Sequence, residues 1–313
     1  MAEVVAVVDT NLEAAKNLAS LLGGINYYET LTDAIRKEDF DAVFITTPTF
    51  THHSLTVEAA EAGKHVFCEK PMALTLKEAD EMISVTKRNN VKLQIGFMRR
   101  FDPEFRRAKS LIDEGVIGKP VLVKSVGRGP GLPPRWALDP KMGLGMVAEV
   151  NSHDFDTLRW FMNDEFKTIY ADAAALLRPD VAEEFPGFHD IVAVIARFQK
   201  GGFGIIDGGC PVNYAYDARV EVLGTEGLIT IGEVQGTSLL ICHKDQKITT
   251  EPFHSWRDRF REAYIAEAES FIKSIIEDRE PEVTGEDGKK ALEATLAAIK
   301  SIKEHKPVEL LIE

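Results

Sequence analysis

The chain has 313 residues, 44% of them apolar, which is enough for a sizeable core and favours two domains over one. Lys and Arg total 37 against 50 Asp and Glu, a net charge of −13 that argues against a general nucleic-acid binder and leaves room for a small anionic ligand in a local positive pocket. No apolar run approaches the ~18 residues of a membrane span, no signal peptide is visible, and three scattered cysteines (Cys68, Cys210, Cys242) suggest neither a disulfide framework nor a thiolate zinc site, so the expectation is a reduced, soluble, cytoplasmic protein.

Up to about residue 100, short apolar runs alternate with helical patterns. Val4–Val8 reads as a buried strand. Asn11–Leu22 reads as a helix ending at Gly23-Gly24. Ala42–Ile45, His65–Cys68 and Val91–Phe97 read as further strands. Thr51–Gly63 and Thr75–Asn90 read as the helices between them, with Thr75 and Glu78 as a capping box. This β-α-β rhythm implies a parallel sheet with helices on both faces.

Beyond residue 100 the texture changes. A helix is expected over Asp102–Glu114, a strand over Val121–Val126, a Gly/Pro-rich loop over Gly127–Pro134 and a helix over Ser152–Met162. Strands then follow in series: Thr168–Leu177, Ile191–Phe198, Phe203–Asp207, Ala218–Leu223, Leu228–Ile231, Ser238–Cys242 and Ile248–Glu251. Their turn-like joints predict an antiparallel sheet built from hairpins. Two helices, Arg257–Glu277 and Glu286–Lys303, close the chain and are expected to cover one face of that sheet, with a second subunit on the other.

Three segments follow predicted strands at the carboxyl edge, where open α/β sheets bind ligands. Asp9 suits the adenosine ribose hydroxyls and would repel a 2′-phosphate, favouring NAD over NADP. It equally suits a cap on the Asn11 helix. Thr46, Thr47 and Pro48 are small enough for a dinucleotide to approach the backbone. Glu69-Lys70-Pro71 places a lysine beside a carboxylate after an apolar strand, where burial can draw its pKa toward neutrality and fit it for proton transfer. The competing reading is a surface Lys–Glu pair.

Four strings, Gly63-Lys-His-Val-Phe-Cys-Glu-Lys-Pro71, Gly96-Phe-Met-Arg-Arg-Phe-Asp102, Gly115-Val-Ile-Gly-Lys-Pro120 and His153-Asp-Phe-Asp-Thr-Leu-Arg-Trp160, together resemble the glucose–fructose oxidoreductase/inositol dehydrogenase family (Gfo/Idh/MocA). The likeness runs along essentially the whole chain. It implies an α/β protein: an N-terminal Rossmann-like doubly wound parallel sheet over residues 1–98, and a C-terminal α+β domain with a large, mostly antiparallel open sheet over 99–313. It also implies an NAD(P)-dependent oxidoreductase of a sugar or cyclic polyol, homo-oligomeric through the C-terminal sheet. The family's first strand, its G-x-G-x-x-G turn and the helix after it have no counterpart ahead of Val4, so the Rossmann sheet is expected to be incomplete at its start. We read this as a shortened version of a longer enzyme. The alternative is a divergent, cofactor-poor binding or regulatory protein that kept the fold.

In the family the residues matching Lys70 and His153 handle the hydroxyl proton, and an aspartate usually stands where this chain has Glu149. Glu149, His153 and Asp156 fall on one face if a single helix carries all three, with Asp156 placed to orient the imidazole. Two competing readings are a metal site at the same spacing, which lacks a further His or Cys nearby, and a helix-start network capped by Asn151 or Ser152. Arg99, Glu149, Asn151 and His153 are the candidate substrate contacts, and Trp136 a candidate stacking residue. Arg99 and Arg100 are expected to point opposite ways by strand alternation. Trp160 is assigned to the core, and His52 to structure.

Overall fold

The computed structural model describes residues 2–139 and 142–310, and the chain divides into two compact units. The first comprises Met1–Gly96 with Ala268–Glu286, and the second Phe97–Glu267 with Asp287–Glu313. The chain therefore returns to the first unit near its end, a segment that a single division at 98/99 does not contain.

The first unit runs β1 (Ala6–Val8), α1 (Leu12–Leu21), β2 (Asn26–Tyr28), α2 (Leu31–Lys37), β3 (Ala42–Ile45), α3 (His52–Glu61), β4 (His65–Glu69), α4 (Leu76–Arg88) and β5 (Leu93–Gly96). Local chemistry sets the helix starts. The Asn11 side chain accepts from the amides of Glu13 and Ala14, and Thr75 and Glu78 close the reciprocal capping box. Gly23 and Gly24 both have positive φ, the conformation that lets α1 end there. Every strand pairing is parallel, in two separate sheets: β1 with β2, and β3–β4–β5 in that order. Among the described residues β1 has no partner besides β2, and β3 none besides β4. The parallel strands of this unit thus lie in two sheets, with β1 and β3 in different ones. Strand β2 and helix α2 were not anticipated; β2 is three residues long, largely exposed and lacks an apolar run. Phe44, Phe67 and Phe271 pack ring to ring, at 4.9 Å between the first two, and seat the returning segment on this unit. The Ile95 amide donates to the Val283 carbonyl at 3.2 Å beside them.

The second unit opens with a short 3₁₀ turn, Met98–Phe101, then α5 (Pro103–Asp113), capped by Asp102, and β6 (Pro120–Arg128). Two one-turn helices, α6 (Arg135–Leu138) and α7 (Met146–Glu149), precede α8 (Ser152–Met162). There follow β7 (Phe166–Ala174), α9 (Pro179–Glu184), β8 (Ile191–Phe198), β9 (Phe203–Gly209), β10 (Asp217–Gly224), β11 (Leu228–Ile231), β12 (Gln235–Cys242) and β13 (Ile248–Pro252). Helices α10 (Trp256–Arg259), α11 (Arg261–Ile276) and α12 (Gly285–Glu304) and strand β14 (Val308–Glu309) complete the chain; α11 and α12 each contribute to both units.

The main sheet has the order β11-β10-β6-β9-β8-β7-β14 and is antiparallel except for the parallel pair β6–β9. It differs from a pure run of hairpins in two ways. Strand β6 inserts at its centre, and β12–β13 form a separate ribbon outside it. Alternation along β8, with Val192, Val194, Ala196 and Phe198 buried and Ile195 and Arg197 exposed, buries one face. Helix α8 lies on that face against β6 and β9, within a core built on Phe105, Phe155, Phe161, Phe166, Phe198 and Phe260. The opposite face exposes Tyr170, Ile195, Phe203, Leu223 and Leu228.

Candidate functional site

The parallel pairing brings the candidate residues of the first unit to the carboxyl ends of its strands. Asp9 follows β1 and is exposed. Its carboxylate accepts from the Asn11 amide at 2.8 Å, beside the residue that caps α1. Thr46, Thr47 and Pro48 follow β3, and Thr47 Oγ1 lies 2.6 Å from Thr51 Oγ1. Glu69 ends β4 and Lys70 follows it, with a cis peptide to Pro71. The Glu69 carboxylate accepts from the Lys70 amide at 3.2 Å. Burial pushes this carboxyl up, and the Lys70 ammonium opposes the shift. A Cβ at Gly96 would stand 3.1 Å from the Glu69 carboxyl carbon, so glycine at the end of β5 leaves the space that the carboxylate fills.

His52 ties two of these segments together. Its Nε2 lies 2.8 Å from the Thr47 carbonyl and its Nδ1 2.9 Å from the Pro71 carbonyl, so one buried ring joins the turn after β3 to the turn after β4. The structural assignment of His52 therefore has a definite content.

In the second unit His153 lies in the first turn of α8, and the Phe97 ring stands edge-on to it at 5.9 Å between centroids. Three expectations are corrected here. Glu149, His153 and Asp156 do not share a helix: Glu149 ends α7, and Val150 and Asn151 separate it from α8. Asp156 does not orient the imidazole, because its two oxygens accept from Arg100 Nε at 2.9 Å and Nη2 at 2.6 Å. Arg99 and Arg100 lie in a 3₁₀ turn instead of a strand, both are buried, and each takes a different carboxylate, Asp154 and Asp156.

Arg99 was expected to contact substrate. It is 2% exposed, and its Nη1 donates to Asp154 Oδ1 at 2.6 Å. Ser125 Oγ donates to the same oxygen at 2.6 Å, and Asn151 Nδ2 donates to Oδ2 at 2.7 Å. Asn151 is wholly buried, and its Nδ2 is also 3.4 Å from the Gly127 carbonyl. Burial alone would lower the Arg99 pKa, but the Asp154 carboxylate overrides it and holds the guanidinium above the ordinary arginine value. Trp136 is half-buried on α6, and Trp160 stacks on Phe161 at 5.0 Å between centroids in the core as assigned. Among the described residues no group of three His, Cys, Asp or Glu is arranged to hold a metal ion.

Residues that sequence reasoning passed over are Asp154, Ser125, Gly96, Arg159 and Asp287. A carboxylate next to a candidate histidine was the available signal for Asp154. The others depend on partners far along the chain.

Comparison with known proteins agrees with this architecture. Residues 1–97 match the oxidoreductase family, NAD-binding Rossmann fold, and residues 105–230 match the GFO/IDH/MocA C-terminal domain. A myo-inositol 2-dehydrogenase of Thermotoga maritima is 34% identical over 305 residues, covering 97% of this chain and 90% of that protein. The crystal structure of a putative myo-inositol dehydrogenase from Sinorhizobium meliloti superposes with a TM-score of 0.92 at 34% identity, covering 99% of this chain and 92% of that one. That of scyllo-inositol dehydrogenase from Lactobacillus casei, with bound NAD(H) and scyllo-inositol, superposes with a TM-score of 0.90 at 26% identity, covering 98% and 91%. Two domain matches in the expected order, on a parallel-stranded unit followed by a mostly antiparallel one, establish that this chain belongs to the Gfo/Idh/MocA family of oxidoreductases.

Proposed function

We propose that the chain is an NAD-dependent oxidoreductase acting on a CH–OH group of a cyclic polyol or sugar, of the inositol dehydrogenase type. The observation that carries this reading is the Glu69–Lys70 pair at the carboxyl end of β4, recessed against Gly96, in the unit that matches an NAD-binding fold. The dehydrogenase relatives support the substrate class.

The residues present fit the two ends of a dinucleotide. Asp9, at the end of β1, suits the ribose hydroxyls and disfavours a 2′-phosphate, so NAD is preferred to NADP. Thr46, Thr47 and Pro48 suit the backbone approach of the cofactor, and Glu69 and Lys70 suit its nicotinamide end. Bound nicotinamide supplies a hydride acceptor or donor. Lys70 polarises the reacting oxygen or relays its proton, and His153 takes the hydroxyl proton; each is a proton-handling group of its own unit. Glu149 remains a substrate contact in this reading. The open face of the main sheet, with Tyr170, Ile195 and Phe203 exposed, supports a homo-oligomer formed through that sheet. The same reading places the chain in the cytoplasm; among the described residues no helix is long and apolar enough to cross a membrane.

A second reading keeps the fold and sets the redox chemistry aside. On this reading the chain is a binding or regulatory protein that keeps the fold with little affinity for NAD. Titration with NADH, followed by its fluorescence, separates the two. Micromolar binding together with NAD reduction on inositol supports the enzyme. Silence at millimolar NADH sinks it.

A further inference from the structure

His153 is followed on the same helix turn by two buried carboxylates, Asp154 and Asp156, and consecutive arginines of one 3₁₀ turn grip them. Arg99 holds Asp154 at 2.6 Å, and Arg100 holds Asp156 through two bonds, at 2.6 and 2.9 Å. Asp154 and Asp156 are 0% and 1% exposed. Behind Arg100 the cluster continues outward. Arg100 Nη2 donates to Asp287 Oδ1 at 3.1 Å, Arg159 Nη1 donates to the same oxygen at 2.7 Å, and Arg159 is held in turn by Glu165 at 2.7 to 3.0 Å.

The members come from separated pieces of the second unit. Arg99 and Arg100 lie just after Phe97, where the chain enters it, and Asp287 is the residue at which the chain re-enters it. Helix α8 supplies Asp154, Asp156 and Arg159. The cluster therefore ties both entering segments to the helix that carries His153.

We propose that Arg99, Arg100 and Asp287 are positioning residues: together they fix the first turns of α8, and so the placement of the His153 ring, without touching substrate. Charged groups removed from water are a weak source of stability, because desolvation offsets their attraction. What forked guanidinium–carboxylate bonds supply is direction, since two parallel bonds admit one orientation. The single Arg99–Asp154 bond and the forked Arg100–Asp156 pair, one and three residues after His153, fix both the axial position and the rotation of the helix there. The Phe97 ring, two residues before Arg99, rests on the imidazole and is held by the same turn.

The proposal rests on the reading of His153 as a proton-handling residue, and its test separates the two. Asp287 is the member of choice, because it lies outward of Asp154 and Asp156 with its side chain 16% exposed. In Asp287→Ala, hydrogen exchange read by mass spectrometry is expected to quicken about tenfold or more in residues 97–101 and 152–157, with the β7–β10 sheet unchanged. The kcat for inositol is expected to fall about tenfold at an unchanged KM for NAD, since small misplacements of a reacting group cost this much. Asp287→Glu restores both. Should Asp287→Ala quicken exchange throughout the sheet, Arg159→Gln is read in the same way. Unchanged exchange in α8 with kcat within twofold of the parent overturns the proposal. His153→Ala at the parental rate overturns instead the role of His153, and leaves the exchange result to decide whether the cluster positions the helix.

Discussion

The Nδ1 of His52 lies 2.9 Å from the carbonyl oxygen of Pro71, so a ring in the first turn of α3 reaches the residue that follows the candidate lysine. Burial lowers the His52 pKa from its ordinary 6.5, and the carbonyls of Thr47 and Pro71, which favour the charged ring, only partly offset this. Between the folded and unfolded pKa values the unfolded chain binds more protons, so stability rises with pH. The His52 contribution is therefore complete above about pH 6.5 and lost as pH falls below it toward the lowered folded value. Thermal midpoints at pH 7.5 and 5.5 should show a larger acid loss for the parent than for His52→Gln. Equal losses would remove His52 as the source.

Lys70→Ala and His153→Ala are each expected to lower kcat by about 10²-fold or more if each handles a proton. Initial rates of NADH formation with inositol measure this for each residue separately, and a rate near the parent's strikes that residue from the reaction.

Asp9→Ser removes the negative charge beside the expected ribose position. The ratio of kcat/KM for NAD to that for NADP is expected to shift toward NADP, through removal of the repulsion of a 2′-phosphate. Because Asp9 also accepts from the Asn11 amide, the thermal midpoint is measured alongside. An unchanged ratio would leave Asp9 only its bond to the Asn11 amide.

Gly127 on β6 faces Asp154, and a Cβ there would overlap the carboxylate. Gly127→Ala is expected to destabilise the second unit by about 1–3 kcal/mol through overpacking. The same shift pushes Asp154 off Arg99, so kcat is expected to fall with it. Denaturant unfolding and steady-state rates check the two effects.

Ile195→Glu places a charge on the open face of the main sheet, where Ile195 is 53% exposed in the single chain. If copies of the chain associate through this face, sedimentation should show smaller species than the parent at equal concentration. An unchanged distribution would move the interface elsewhere.

Much of the fold was legible because it is written in local periodicity. Helix α8 and strands β8 and β11 fall at the predicted bounds, and the Thr75–Glu78 capping box forms as its spacing indicates. Short exposed elements such as β2 carry too little pattern to be seen. The insertion of β6 at the centre of the main sheet is set by long-range pairing, which no window of sequence encodes. At the site, the residues at strand ends could be found because topology puts strand ends together. The partners of Asp156 could not: helical spacing places Asp156 near His153, but its bonds are decided by Arg100, 56 positions earlier in the chain. Spacing gives the face a side chain occupies, and tertiary packing chooses what it touches.

Strands β1 and β3 each offer a row of backbone donors and acceptors that no other described strand takes up. Such rows act as templates for further chains, and Phe44 on β3, 43% exposed, adds an apolar contact for an incoming segment. Light scattering that grows with concentration and falls when an extended peptide is added would show that these edges pair between copies of the chain.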